Sequence, residues 1–240
     1  VFPLAQYLAH DKVAFIYNNL SAAVHNHEVM AWTLGLGYGM TYVIHASELD
    51  EVAKRQWLLW VDRVQKSVVA RYQGQGVNSF SHRWGTNTVN PDNGAMSASY
   101  GPVSVVGNLS SQSLSTNGWT LPGYGYLATA SGLVAGHLIA PGAAQAAAYV
   151  AETNGSGGLD CWIYSAGGTN ATMALPAGFN GAASLQVETN SPTQVLIQNN
   201  VLTVTLPSSA HTLLWAGRIT PDAATTLLID FGRHDSGTNG

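Results

Sequence analysis

The stretch Val13-Ala14-Phe15-Ile16-Tyr17-Asn18-Asn19-Leu20 decides the reading of the fold, together with a longer apolar run that begins at Glu28-Val29-Met30-Ala31-Trp32-Thr33-Leu34. The first run has strand length, with β-branched and aromatic residues and no polar alternation. That is the pattern of a strand buried on both faces of a parallel sheet. A polar loop, 18–26, separates it from the second run. Glu28 opens a helix expected to extend to His45, capped by Asn26 or His27, with Glu28 suited to the positive end of the helix dipole. The helix is apolar all round and is expected to be buried. Strand, loop and helix make one β-α unit. Such a unit cannot form a sheet alone, so its partner strands are expected to come from elsewhere.

Working outward, residues 3–10 read as a short helical turn. Ser47 is expected to cap a second helix that runs to Tyr72, with Leu49, Val52, Trp57, Trp60, Val61, Val64 and Val68 as its apolar stripe. Asp50→Lys54, Glu51→Arg55 and Asp62→Lys66 stand at i,i+4 in the favourable order. The turn-rich stretch 85–101, with Asn90-Pro91-Asp92-Asn93-Gly94, marks a boundary. Charge also changes there: seven Lys/Arg and seven Asp/Glu stand up to Tyr100, and two and six after it.

Beyond the boundary the chain reads β throughout. Strands are expected at 97–100, 103–107, 125–130, 133–139, 159–165, 169–175, 183–188, 194–198, 201–206, 211–216 and 225–231. Ser131-Gly132, Gly167-Gly168 and Asn199-Asn200 are expected hairpin turns, because Gly and Asn tolerate positive φ. Short strands at this spacing point to a sandwich or barrel. The expected domains are 1–85 and 86–240, with a further division near residue 150.

Composition narrows the function classes. The 240 residues carry a formal net charge of −4 and only 9% charged residues, with no basic patch, so a nucleic-acid partner is not expected. Cys161 is the single cysteine, which excludes an internal disulfide and a Cys-based zinc site. The apolar stretch 29–44 is too short for a membrane span and contains Gly35, Gly37 and Gly39, so no membrane association is expected. Four sequons occur, at Asn19, Asn108, Asn154 and Asn170. No nucleotide-binding loop and no G-x-S-x-G elbow occur. The opening at Val1, directly in ordered-looking sequence, reads as a chain that begins mid-protein, or as a mature N-terminus left by signal removal.

Several motifs together resemble a known architecture. Phe2-Pro3-Leu4-Ala5-Gln6-Tyr7-Leu8, His10-Asp11-Lys12-Val13, Tyr17-Asn18-Asn19-Leu20 and Ala31-Trp32-Thr33-Leu34-Gly35-Leu36-Gly37-Tyr38-Gly39 resemble the last strand–loop–helix unit of (β/α)8 glycoside hydrolases. Tyr100-Gly101-Pro102-Val103-Ser104-Val105-Val106-Gly107-Asn108-Leu109, Leu121-Pro122-Gly123-Tyr124-Gly125-Tyr126-Leu127-Ala128 and Val134-Ala135-Gly136-His137 are similar to the first β-sandwich that follows such barrels. The resemblance covers residues 2–137. It implies an α/β segment, the last strand and helices of a (β/α)8 barrel, followed by one or more all-β sandwich domains. It also implies a carbohydrate substrate, a partner supplying the remaining N-terminal barrel polypeptide, no cofactor, and a secreted or periplasmic location. Two alternatives stay open: a non-catalytic carbohydrate-binding or structural module with its own helical cap, and a fragment of a polysaccharide lyase.

The site candidates follow from that frame. Glycosidases use a pair of carboxylates, and none follows the strand 13–17. Asn18 and Asn19 stand there instead, either lining a substrate pocket or serving the loop and helix cap. The catalytic acids are then expected outside this chain. His25-Asn26-His27-Glu28 reads as a helix cap with a pocket-facing His; H-x-H alone is too little for a metal, and none is expected. Asp11 and Lys12 read as a salt bridge. In Ser79-Phe80-Ser81-His82-Arg83-Trp84 the indole of Trp84 either stacks on sugar or packs an interdomain strand. Trp162 and Trp215 suit a core. Trp119 sits in a loop and is the best exposed sugar-stacking candidate.

Overall fold

The computed structural model describes residues 4–17, 26–83, 94–153, 158–166, 170–178, 181–187, 192–205, 212–221 and 227–233. The chain is mostly β-sheet with few helices. It opens with α1 (Leu4–Ala9) and β1 (Ile16–Tyr17), continues through α2 (His27–Gly35) and β2 (Gly39–Met40), and then forms α3 (Ala46–Leu49), α4 (Val52–Val64), a π-turn (Gln65–Val69) and α5 (Ala70–Tyr72).

Three expectations about this first part need correction. The run 13–17 is not a buried strand: only Ile16–Tyr17 is extended, with Val13 54% and Ile16 56% exposed. Its parallel partner comes from within the chain, since Ile16 pairs with Gly39 and Tyr17 with Met40. The second correction is to the helix expected over 28–45, which stops at Gly35. Gly37 has φ +69°, its N–H donates to Leu34 O, and the Tyr38 N–H donates to Thr33 O. This is a Schellman stop that the left-handed freedom of glycine permits. Asn26 is the cap, its Oδ1 accepting from the Val29 N–H at 3.2 Å. The third correction concerns the second helix. His45, not Ser47, precedes its first turn, with the His45 N–H donating to the Glu48 carboxylate at 3.0 Å, and the helix breaks at Asp50. Trp57, Trp60, Val61, Val64 and Val68 are buried as the stripe requires, but Leu49 is 42% exposed. Asp62–Lys66 forms at 2.8 Å, whereas Lys54 pairs with Glu51 and Glu48, and Arg55 donates to Leu49 O.

The β part runs β3 (Val77–Arg83), β4 (Ala95–Tyr100), β5 (Val103–Asn108), β6 (Leu114–Thr116), β7 (Trp119–Leu121), β8 (Tyr126–Ala130), β9 (Leu133–Leu138), β10 (Ala147–Thr153), β11 (Leu159–Ala166), β12 (Asn170–Ala174), β13 (Gly181–Val187), β14 (Pro192–Ile197), β15 (Val201–Thr205), β16 (Thr212–Pro221) and β17 (Leu227–Arg233). One 11-stranded sheet has the order β14-β13-β17-β16-β11-β10-β9-β8-β5-β4-β3. Its seven strands from β11 to β3 are antiparallel throughout, and β13–β17 is its parallel pair. β12 and β15 form a separate antiparallel ribbon, and β6–β7 a small hairpin.

Each face of the sheet carries its own core. Tyr100, Val103, Val105, Tyr126, Ala128, Ala135, Ala148 and Val150 point to the helices and meet Met30, Leu34, Trp57, Trp60 and Val64. The alternate residues Leu127, Val134, Tyr149, Ala151, Cys161 and Ile163 point the other way, where Met173, Leu202 and Val204 of the ribbon cover them. This period-2 division is what a sheet buried on both faces requires. Residues from both sides of position 85 share the helical-face core, and α2 lies directly on β5. A Cβ at Gly107 would sit 3.1 Å from Ala31 O, so glycine sets that close approach.

Two contacts tie the helical layer to the sheet. Glu152 on β10 accepts from Arg63 at 3.0 Å, Arg71 at 3.4 Å and Ser67 at 3.0 Å, while the Arg63 guanidinium lies 3.6 Å from the centre of the Trp162 ring. At the end of α2, the Tyr100 hydroxyl donates to Gly35 O, a carbonyl that the helix leaves open, and the Tyr72 hydroxyl donates to Tyr38 O just beyond the helix. No helix among the described residues is long and apolar enough to cross a membrane.

Candidate functional site

The ribbon β12–β15 and the small hairpin β6–β7 border a cleft. Asn199 and Asn200 both take positive φ, 52° and 58°, and the Gln198 and Val201 N–H groups exchange hydrogen bonds with each other's carbonyls, so the expected two-residue turn forms. Opposite it, Asn117 and Gly118 form the β6–β7 turn, with φ 48° and 81°. Between these turns lies an open cleft of about 640 Å³.

Trp119, expected in a loop, instead opens β7 opposite Thr116 and is the aromatic wall of this cleft. It packs on the core beneath the ribbon and is half-buried. Asn117, Asn199, Asn200, Thr129 and Ser131 bring amides and hydroxyls around the same space. Amides both donate and accept, and hydroxyls do the same, so the rim can match neighbouring hydroxyl groups on a ligand. No Asp, Glu, Lys, Arg or His lines the cleft among the described residues. A flat apolar surface beside neutral donors and acceptors suits a ligand with C–H faces and many hydroxyls.

A second aromatic cluster occupies the helical face of the sheet. His27, the first residue of α2, stacks on His137 of β9 with ring centroids 3.9 Å apart and 22° between planes. Trp57 meets His27 edge-on at 6.2 Å, and Tyr126 lies 5.9 Å from it. Burial pulls the His137 imidazole down to about 4 and pushes the Tyr126 and Tyr164 phenols up. Imidazole lone pairs lie in the ring planes, so rings stacked face to face do not aim them at a common ion. Among the described residues no group of three or more His, Cys, Asp or Glu is placed to hold a metal. The cluster is aromatic packing around a His137 imidazole that burial holds neutral.

Trp119 and His27 therefore lie on opposite faces of the main sheet, not in one site. Asn18, Asn19, His25 and Trp84 lie outside the described residues. His82 of β3 meets Trp32 edge-on at 5.9 Å. Asp11 and Lys12 pair at 2.7 Å on the surface, as expected. Trp162 packs on the helical-face core. Asn108, despite its sequon, is 1% exposed, and its amide donates to Gln112 O and Pro122 O, so it cannot carry a glycan in the folded chain. Sequence reading pointed to Trp119 but missed the residues that meet it. Asn199, Asn200 and Ser131 read as turn residues alone, and Thr129 as part of a strand. Compared with known proteins, the chain matches no family model, no curated protein and no solved structure.

Proposed function

We propose that this chain is a carbohydrate-binding part of a glycoside hydrolase and that it holds a polysaccharide or oligosaccharide in the Trp119 cleft. The observation that carries the reading is Trp119 itself: a half-buried tryptophan that packs on the core and also lines a cleft rimmed by Asn117, Asn199 and Asn200. A rigid aromatic platform orders little on binding, so more of its contact energy is kept as affinity. The helical layer is the cap of this module, since α2 buries Met30, Ala31 and Leu34 against the sheet. No carboxylate lines the cleft among the described residues, so bond cleavage is not assigned to it.

The test is binding of the purified chain to insoluble polysaccharides and to their soluble oligosaccharides by calorimetry. Trp119→Ala is expected to weaken binding at least tenfold, about 1.4 kcal/mol, in a chain that still unfolds cooperatively, with a lowered midpoint because the indole also packs on the core. Equal binding by wild type and variant, or no binding to any glycan by wild type, sinks the reading.

One observation favours a second reading, in which the chain completes a barrel supplied by another polypeptide. Parallel pairs are normally covered on both faces, yet β1–β2 leaves Ile16 exposed, with Leu4, Leu8 and Val13 exposed nearby in sequence. Native mass of material from the source settles it: a larger polypeptide at one-to-one stoichiometry supports the barrel, and a monomer of 25.2 kDa rejects it.

A further inference from the structure

We infer that the ligand is a neutral glycan longer than a single sugar, which leaves the Trp119 cleft and runs along the outer face of the β12–β15 ribbon into a second cleft. The inference rests on the carbohydrate-binding reading and adds the charge class and the length of the ligand.

The second cleft, about 550 Å³, lies against Asn170, Thr172 and Thr203 and the turn 142–145. It adjoins the first in two ways. Pro141 lines the first cleft and Gly142 the second, so one turn borders both. The ribbon borders both as well. Ala174 and Val201, paired in register, lie at the first cleft, and Thr172 and Thr203, the pair two residues along, lie at the second. From Ala174 to Asn170 the ribbon extends roughly 13 Å at the usual rise per residue. Ala171, Met173, Leu202 and Val204 face the core, which turns Thr172 and Thr203 outward. Their hydroxyls lie 3.2 Å apart, so one can donate to the other while the pair keeps acceptor capacity toward a ligand.

The two clefts differ in chemistry. The first has an aromatic wall, whereas the second has no aromatic residue and offers Gln145, Asn170 and the two threonine hydroxyls. The first therefore anchors by stacking, and the second adds hydrogen bonds only to a ligand long enough to reach it. Neither is lined by Lys, Arg, His, Asp or Glu among the described residues. An anionic or cationic glycan would give up its hydration there without meeting a counter-charge, a cost that a neutral glycan does not carry.

The experiment uses the intact chain and two sets of soluble probes. One is a ladder of neutral oligosaccharides from mono- to hexasaccharide, drawn from glucans, xylans and mannans. The other comprises oligogalacturonates and chitosan oligomers. Affinity for one neutral ladder is expected to climb about tenfold or more with length, to be insensitive to added salt, and to exceed that for either charged ladder. Thr172→Val with Thr203→Val keeps β-branched side chains on the ribbon and is expected to abolish the climb while leaving the shortest bound ligand unaffected. Gln145→Ala, in a turn away from the ribbon pairing, is expected to reduce the climb and serves if the threonine variant fails to fold. Length-independent affinity that still depends on Trp119 overturns the inference and leaves the carbohydrate-binding reading standing, and so does preference for a charged ladder. Absence of binding by every glycan overturns both.

Discussion

The imidazole of His137 is sealed against that of His27, the two ring centroids 3.9 Å apart, beneath the edge of Trp57. Burial lowers His137 from 6.5 to about 4. The unfolded chain therefore takes up a proton that the folded chain refuses as pH falls from about 6.5 to about 4. The contribution of His137 is fully present above that window and is lost on acidification through it. Urea unfolding is expected to show a stability loss between pH 7 and pH 4.5 of at most about 3 kcal/mol from this group. His137→Phe keeps a ring on His27 and is expected to flatten that part of the profile. An unaltered pH slope in the variant would show that the stack is not the source.

Glu152 is the shared acceptor of Arg63, Arg71 and Ser67. The cluster is partly buried, between the weak surface regime and the stronger buried one. Glu152→Ala is expected to cost about 1–3 kcal/mol and to loosen the helical layer, with faster hydrogen exchange in 65–72. A double-mutant cycle with Arg63→Ala measures how much of that loss belongs to the one pair.

Gly37 ends α2 at φ +69°, and a Cβ there would meet the Tyr100 ring at 2.8 Å and His10 Nε2 at 2.5 Å. His10 holds this point, its ring nitrogens lying 2.6 Å from Gln75 O and 2.7 Å from Gly37 O. Gly37→Ala is expected to lower stability by more than about 1 kcal/mol. Thermal unfolding checks it, with Gly74→Ala as the comparison, since that glycine also has positive φ but meets nothing within 4 Å.

Asn200 serves both the turn and the cleft. Glycine is the preferred residue at the second position of such a turn, so Asn200→Gly is expected to preserve stability to within about 0.5 kcal/mol. The same change removes an amide from the rim and is expected to weaken glycan binding severalfold. Unchanged affinity would place Asn200 outside the contact.

Cys161 is fully buried on β11, and burial pushes its thiol up. It is expected to resist an aromatic disulfide reagent in the native state and to react only as the sheet opens. Rapid native labelling would contradict the packing of that face.

Much of the second part was legible in sequence because hairpins are local. Ser131-Gly132 and Asn199-Asn200 name their turns through residues that tolerate positive φ, and the flanking strands follow. β10 was missed. Ala147-Ala148-Tyr149-Val150-Ala151 is buried on both faces in the middle of the sheet and so shows no alternation, and its alanines give little strand preference. In the first part the apolar run past Gly35 was read as more helix. Hydrophobicity reports burial and not conformation, and the glycine that changes the backbone sits inside the run.

By itself, the sequence determined the order of helices before the main sheet, the turns at Ser131-Gly132 and Asn199-Asn200, a helix cap at Asn26 or His27 and the absence of internal disulfide bonding. These depend on a residue and its near neighbours. Only the tertiary structure decided that α2 lies on β5, that β2 supplies the partner of β1, that His27 and Trp119 face opposite sides of one sheet, and that Asn117 and Asn199 meet across a cleft. Those relations join residues far apart in the chain. An apolar or amide side chain shows that it wants a partner, but not which one, until the strand order brings the two together.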